Sequence, residues 1–412
     1  MTTSVEIHPS RLVRLLRSTA GIAIAMAVMN IGTYAFQMVA ARLLGPSQYG
    51  AVASMMALLM VLSVVQLGLQ ATAARRISAD PDHVGQIEHS ILGVTYRAAL
   101  ALFVLLLVLA PVVDLVLRLG SLPTAALVAV CSVPLTVMGG QAGILQGERR
   151  WGQLSVLYVL SGVPRLVIGT ALISWRPSET AALVGITLGA FTPIAAGWWF
   201  LHREREPGAV SDRHGFRSVM VETFHNSQAL LAFFALSNVD VIVARNVLPE
   251  HEAGLYAGGI ILTKAVLFLP QFVVVVAFPS MSTIAAQRRA LTLSLAVVTG
   301  IGFVVTVGAA ILPRLALVFV GGHQYAEITD DLAGFAVLGT LLAALQLLVY
   351  SVLARQAHRP VLLVWLALVV LIAVGATTAT FEQLLIAVIA VDGVLFLALL
   401  ALGLRRAEAT PA

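Results

Sequence analysis

The sequence holds a single cysteine, Cys131, and a single lysine, Lys264. One thiol excludes an intrachain disulfide and any metal cluster built from cysteines. Charge is scarce too: Asp, Glu, Lys and Arg make up 11% of 412 residues, where soluble domains carry about 25%. With 59% hydrophobic residues and a mean hydropathy of +0.96, this composition excludes an ordinary soluble enzyme and predicts an all-α polytopic membrane protein. The chain contains no HExxH, HxxxxD or P-loop pattern, so the motifs of metalloproteases and ATP-driven machines are missing. The formal net charge of +5 does not point to nucleic acid, because the arginines stand in short clusters at segment ends with no folded basic domain around them. No cofactor is expected.

What is present is a series of apolar runs of roughly 20 residues, the length that crosses a bilayer. About twelve occur, near 18–40, 50–72, 91–117, 122–145, 154–175 and 180–201, then near 218–245, 253–278, 290–319, 331–354, 361–379 and 383–404. The first follows Arg11, Arg14 and Arg17 as a signal peptide would, but it stays apolar for about 22 residues, longer than a signal's hydrophobic core, and reads as a retained anchor. Cytoplasmic loops retain positive charge. Counting twelve spans places every arginine cluster on one side, with Arg42, Arg118, Arg176, Arg245 and Arg314 alone on the other. Both termini are therefore expected in the cytoplasm. The longest loop, 202–217, is a polar linker with Pro207 and Gly208. It divides the chain into an N-terminal six-helix bundle, 1–201, and a C-terminal one, 218–412. Six spans bring the chain back to its starting side, so the halves are expected to run parallel, about an axis along the membrane normal.

The halves also echo each other in sequence. ARLLGPSQYGAVA after the first run and ARNVLPEHEAGLYA after the seventh share an Ala-Arg, a short polar hairpin and a tyrosine, with Arg42 and Arg245 about 203 residues apart. LAPVVDLVL, with Pro111, answers LPRLALVF, with Pro313, and GILQGERRW answers SVLARQAHRP at nearly the same offset. Three matches in one order indicate an internal duplication.

Twelve spans in two parallel halves, ARLLGPSQYG, Ala-Arg with AGLYA, and VFVGGHQYAEI after Pro313 resemble one family. It is the polysaccharide-biosynthesis flippases of the multidrug/oligosaccharidyl-lipid/polysaccharide (MOP) superfamily. The resemblance covers nearly the whole chain. It implies a V-shaped, MATE-like pair of bundles around a central cavity lined by the first, second, seventh and eighth spans. It also implies that a polyprenyl-pyrophosphate-linked oligosaccharide moves from the cytoplasmic to the outer leaflet by alternating access. The two extra spans usual in the superfamily's lipid II flippases are missing. So is the acidic residue usual in the first span of its drug/cation antiporters, where Asn30, Tyr34 and Gln37 stand.

An ionisable group deep in an apolar segment usually faces a bundle interior or a wet cavity. Lys264 lies near the middle of the eighth run, with Gln271 on the same face. A pyrophosphate entering a cavity loses water, and a fixed cation with amide donors suits it. Lys264 is thus the first candidate for a phosphate contact, with a structural ion pair to Asp240 as the alternative. Asn30, Thr33, Tyr34 and Gln37 share one face of the first span at about 100° per residue. Ser63, Gln66 and Gln70 share one face of the second, and Glu222, His225, Asn226, Ser237 and Asp240 one of the seventh. Such faces line either a cavity or an interhelical hydrogen-bonded seam. Asp240 is the candidate for ion coupling. Arg42 and Arg245 either snorkel to the outer headgroups or serve an outer gate and phosphate release. Arg165 is expected in an internal structural pair, and Asp392 in packing.

Three other functions remain open at this point. One is an ion-coupled drug or metabolite antiporter; a second is an integral membrane glycan polymerase or ligase, which needs larger extramembrane loops than these. A non-catalytic scaffold is the third. The alanine, valine and arginine bias fits a GC-rich bacterial genome and hence an inner-membrane protein. Its expected partners are the lipid-linked glycan, membrane lipids, and the polymerase or glycosyltransferases of the same pathway. Without an ATP site, the driving force is expected from an ion gradient or from the substrate's own.

Overall fold

The computed structural model describes residues 19–202, 215–277, 284–354 and 358–408. Side chains at 19–20, 225–226, 229, 268–277, 284–291, 351–354, 358–360 and 403–408 lie outside the description, as does most of the expected 202–217 linker. The helices are α1 (Thr19–Ala79), α2 (Val84–Val108), α3 (Ala110–Leu117), α4 (Leu122–Gly147), α5 (Trp151–Trp175), α6 (Glu179–Leu201) and α7 (Phe216–Val247). They continue as α8 (Glu250–Ala277), α9 (Ile284–Ile311), α10 (Pro313–Val320), α11 (Leu332–Ala354), α12 (His358–Gly375) and α13 (Phe381–Glu408). Single 3-10 turns lie at Pro81–His83 and His323–Ile328. Among the described residues there is no strand.

Nine of the described helices are long and apolar enough to cross a membrane. One is α1, whose 61 residues would extend about 90 Å if straight, three times a bilayer core. It is instead two arms meeting at Gly45, where φ is 72° and ψ 173°. A residue without a Cβ takes that left-handed turn at little cost. The expected hairpin between residues 40 and 50 is thus a single-residue break with helix on both sides. Counting the arms separately, and adding α8 and the shorter α12, gives the twelve crossing segments read from the sequence.

Two expected spans are shorter than read. The run 91–117 breaks at Leu109 into α2 and α3, with Pro111 in the first turn of α3, and the run 290–319 breaks at Leu312, with Pro313 opening α10. Proline has no N–H to continue the earlier helix and is well placed to begin the next. The two breaks occupy equivalent places in the halves, as the matched prolines require of a duplication.

Packing repeats between the halves as well. In the first, Gly139 and Gly143 of α4 lie on Gln66 and Gln70 of the second arm of α1, and Gly162 of α5 lies on Met29 of the first arm. In the second, Gly339 of α11 lies on Thr263 of α8, and Gly375 at the end of α12 lies on Val243 of α7. The halves join where Gly50 of α1 meets Gly254 of α8, two glycines within one residue of equivalent positions in the repeat. A Cβ on Gly254 would overlap the Pro46 carbonyl oxygen. At the far end of the same seam, Arg75 and Arg76 of α1 pair with Glu222 of α7.

This contact predicts a contrast between two glycines. Gly254→Ala forces backbone apart and costs about 1–3 kcal/mol, as overpacking does, read as a lower melting temperature in detergent. Gly300→Ala, which would meet nothing within 4 Å, leaves the melting temperature unchanged or raises it.

Candidate functional site

Between the halves lies a cavity of about 670 Å³, lined by both arms of α1 and by α4, α5, α6, α7, α8 and α11. It is predominantly apolar, with Met26, Met29, Met56, Met60 and Met138 on its wall. Methionine side chains bend to fit ligands of differing shape. Among the described residues two cations reach the wall, Lys264 of α8 and Arg165 of α5, one from each half, and no carboxylate does.

Lys264 is 5% exposed. Its ammonium donates to the Ser237 carbonyl oxygen at 2.7 Å and to Asn238 Oδ1 at 3.0 Å, both on α7. An ammonium carries three donors, so one remains for a ligand. The alternative reading, an ion pair with Asp240, is not made by hydrogen bond: Asp240 Oδ2 accepts from the Tyr256 hydroxyl at 2.9 Å, and its Oδ1 has no hydrogen-bond partner among the described residues. Asp240 also lies off the cavity wall, which α7 lines with Phe234, Asn238 and Val241. Asp240 stands two residues from Asn238, a turn of about 200°. That turn buries Asp240 behind Lys264, against α8. Asp392 of α13 is 0% exposed, and among the described residues neither of its carboxyl oxygens has a hydrogen-bond partner.

Arg165 corrects an expectation. Among the described residues it makes no ion pair, and its Nε is buried without a hydrogen-bond partner, so the internal structural pair read for it is not there. Its place midway along an apolar run was the available signal; the neighbouring glycines misdirected the reading toward packing alone.

Of the other expected site residues, Asn30, Gln37, Gln66 and Gln70 line the cavity. Gln70 Nε2 donates to Gln146 Oε1 and to the Tyr158 hydroxyl, both at 2.8 Å. In the second half Gln346 Nε2 donates to the Tyr350 hydroxyl at 3.1 Å. These four partners and Asn238 were not singled out in the sequence, because a lone amide or tyrosine at a span end reads equally as a packing residue. Gln271 lies in α8 with its side chain outside the described set, and so do the side chains of His225 and Asn226 in the expected stripe of the seventh span. Glu222, in that stripe, is consumed by Arg75 and Arg76, with Arg76 Nε at 2.8 Å.

Tyr34, Arg42 and Arg245 do not line the cavity. Tyr34 donates to the Phe319 carbonyl at 3.0 Å and Arg42 Nη2 to the Val318 carbonyl at 2.7 Å, both on α10. Arg245 donates to the Leu117 and Arg118 carbonyls at 3.3 and 3.0 Å, at the end of α3. All three belong to the seal at the Gly45 end of the cavity.

Comparison with known proteins places this architecture. A family model described as polysaccharide biosynthesis protein matches residues 15–285. No curated protein sequence matches. Among solved structures, the inward-facing conformation of a multidrug resistance MATE family transporter of the MOP superfamily superposes with a TM-score of 0.65 at 16% identity, covering 98% of this chain and 96% of that one. An outward-facing conformation from the same family gives 0.62 at 16% identity over 98% and 99%. A Pyrococcus furiosus MOP superfamily transporter, described as having a binding pocket of reverse polarity that suggests a different function, gives 0.60 at 16% identity over 98% and 99%. At such identities these likenesses establish the fold.

The buried acid gives a test of the site as built. A carboxyl with no bonded oxygen costs stability where it stands, so Asp392→Asn leaves the melting temperature in detergent unchanged or higher. A fall of several degrees would show that the carboxyl is engaged.

Proposed function

The chain belongs to the polysaccharide biosynthesis protein family, and from that membership we propose that it flips a polyprenyl-pyrophosphate-linked oligosaccharide from the cytoplasmic to the outer leaflet. Family and fold together make it a multi-pass membrane transporter. The observation that carries the finer reading is the charge of the cavity: among the described residues, Lys264 and Arg165 on its wall and no carboxylate. A diphosphate entering this space exchanges water for an ammonium and a guanidinium with spare donors, the charge-assisted contacts that suit phosphate oxygens. The amides and phenols of Gln70, Gln146, Tyr158 and Gln346 offer donors and acceptors to sugar hydroxyls, and the methionines accept apolar bulk. An antiporter of cationic drugs would need the opposite sign on this wall, and none of the described residues supplies it there.

In this reading the protein sits in a bacterial inner membrane with both termini in the cytoplasm, and the Gly45 end faces outward. The cavity, sealed at that end, is then open to substrate from the cytoplasmic side. Asp240 with Asp392, behind Lys264, is the proposed place where a coupling cation or proton acts on the lysine's charge. Glycosyltransferases on the cytoplasmic side would supply the substrate, and a polymerase on the other would consume it.

Flipping of a fluorescent polyprenyl-pyrophosphate sugar in proteoliposomes tests this. Lys264→Ala and Arg165→Ala are each expected to slow flipping by about tenfold or more, the loss of one charge-assisted contact, and Lys264→Arg to restore part of it. Full activity in Lys264→Ala would remove the lysine from the site. Failure of the intact protein to flip any such lipid, with transport of a cationic drug instead, would replace the flippase by an antiporter.

A further inference from the structure

The seal at the Gly45 end is built from two reciprocal contacts. Arg42, ending the first arm of α1, donates across the interface to the Val318 carbonyl near the C-terminus of α10. Arg245, ending α7, donates across it to the Leu117 and Arg118 carbonyls at the C-terminus of α3. Each half thus extends the arginine of its first crossing segment to the end of the other half's proline-started short helix. Each arginine has a neutral companion doing the same: Tyr34 to the Phe319 carbonyl at 3.0 Å, and Asn246 to the Val116 carbonyl at 2.7 Å. The last carbonyls of a helix have no partner within it and carry the negative end of its dipole, so a guanidinium is the group best suited to cap them.

When the halves part at this end, all these bonds break together. The guanidiniums lose these carbonyl oxygens at the mouth through which an outward-moving head group must leave, with Arg245 keeping the Glu250 carboxylate of its own half, 3.5 Å from its Nη2. Arg245 is 5% exposed, and among the described residues its Nη1 has no acceptor even with the seal closed. A phosphate group offers several oxygens in the planar, two-point geometry that a guanidinium prefers, better than single carbonyls do. We infer that Arg42 and Arg245 form an anion-responsive gate: the carbonyls of α10 and α3 hold them in the closed state, and phosphate groups compete for them and stabilise the open one. The inference rests on the flippase reading for the identity of the anion alone; the gate itself stands on the hydrogen bonds.

Spin labels on cysteines introduced at Ser47 and Ala326, exposed positions beside the seal in opposite halves, report its opening by pulsed dipolar distance measurement on the full chain in phosphatidylcholine nanodiscs. The native Cys131 is buried and gives little background. Arg42→Ala and Arg245→Ala should each raise the population at long distance about tenfold, as expected for losing a charge-assisted hydrogen bond. Tyr34→Phe and Asn246→Ala, milder changes, should raise it less. Inorganic pyrophosphate should lengthen the distance in a Lys264→Ala background, where the cavity lysine is gone, and should add nothing when both arginines are also replaced. Repeating the series with phosphatidylglycerol identifies lipid headgroups as a second source of the same phosphate if the gate opens without added pyrophosphate. Unchanged distances in monodisperse samples of all four single variants would overturn the gate. Arginine variants that open while pyrophosphate leaves the Lys264→Ala protein closed would overturn its response to anions. A normal gate response in a protein that flips no pyrophosphate lipid would sink the flippase reading and leave the gate intact.

Discussion

Inside a bilayer, a charge or a backbone carbonyl must find its partner within the protein, and the arrangement of this molecule follows from how each such demand is met. The lysine of α8 takes a carbonyl and an amide from α7. The arginines that end the first and seventh crossing segments take carbonyls from short helices of the opposite half. Arg75 and Arg76 take Glu222. Each satisfied group ties two helices together, and several tie the two halves. The atoms left without hydrogen-bond partners among the described residues are then the informative ones: Nε of Arg165 on the cavity wall, one oxygen of Asp240, and both of Asp392.

That distribution separates signs of charge in space. Positive groups face the cavity and negative ones stand one layer back, on the far side of Lys264. An anion in the cavity meets the lysine directly, whereas a cation or proton reaching the carboxyls acts on it from behind. The two influences oppose each other at a single ammonium. A transporter that must bind on one side and release on the other can use such opposition, because the affinity of the cavity is set by groups the substrate does not touch.

Much of the fold was legible in the sequence because its causes are local. Twelve apolar runs, the matched prolines at 111 and 313, and the paired Ala-Arg segments each report a structural fact that the bilayer or the chain geometry enforces. Helical periodicity likewise brought Asn30, Gln37, Gln66, Gln70 and Lys264 to one wall. What the sequence left unread was the identity of partners. Arg42 and Arg245 lie where snorkelling residues lie, and only the tertiary arrangement shows that their oxygens come from α10 and α3 rather than from lipid. Asp240 shares an approximate stripe with Ser237, yet standing two residues from Asn238 it is turned by about 200°, behind the cavity. Arg165 looked like half of a pair because buried arginines usually are; its lack of one is a property of neighbours brought from far along the chain.

The reciprocal capping at the Gly45 end has a further consequence. A two-fold interface repeats every contact, so if two copies of a half-length chain met about this axis, one arginine and one helix end would specify both bonds, and they would be equal. In a single chain they are free to differ, and they do. Arg245 is buried and has two carbonyls with Asn246 beside it, whereas Arg42 is exposed to solvent and has one carbonyl with Tyr34 beside it. Water competes for the second bond and hardly for the first. Separation of the halves therefore has a leading edge and a trailing edge, which gives a motion about a nearly symmetric axis a direction.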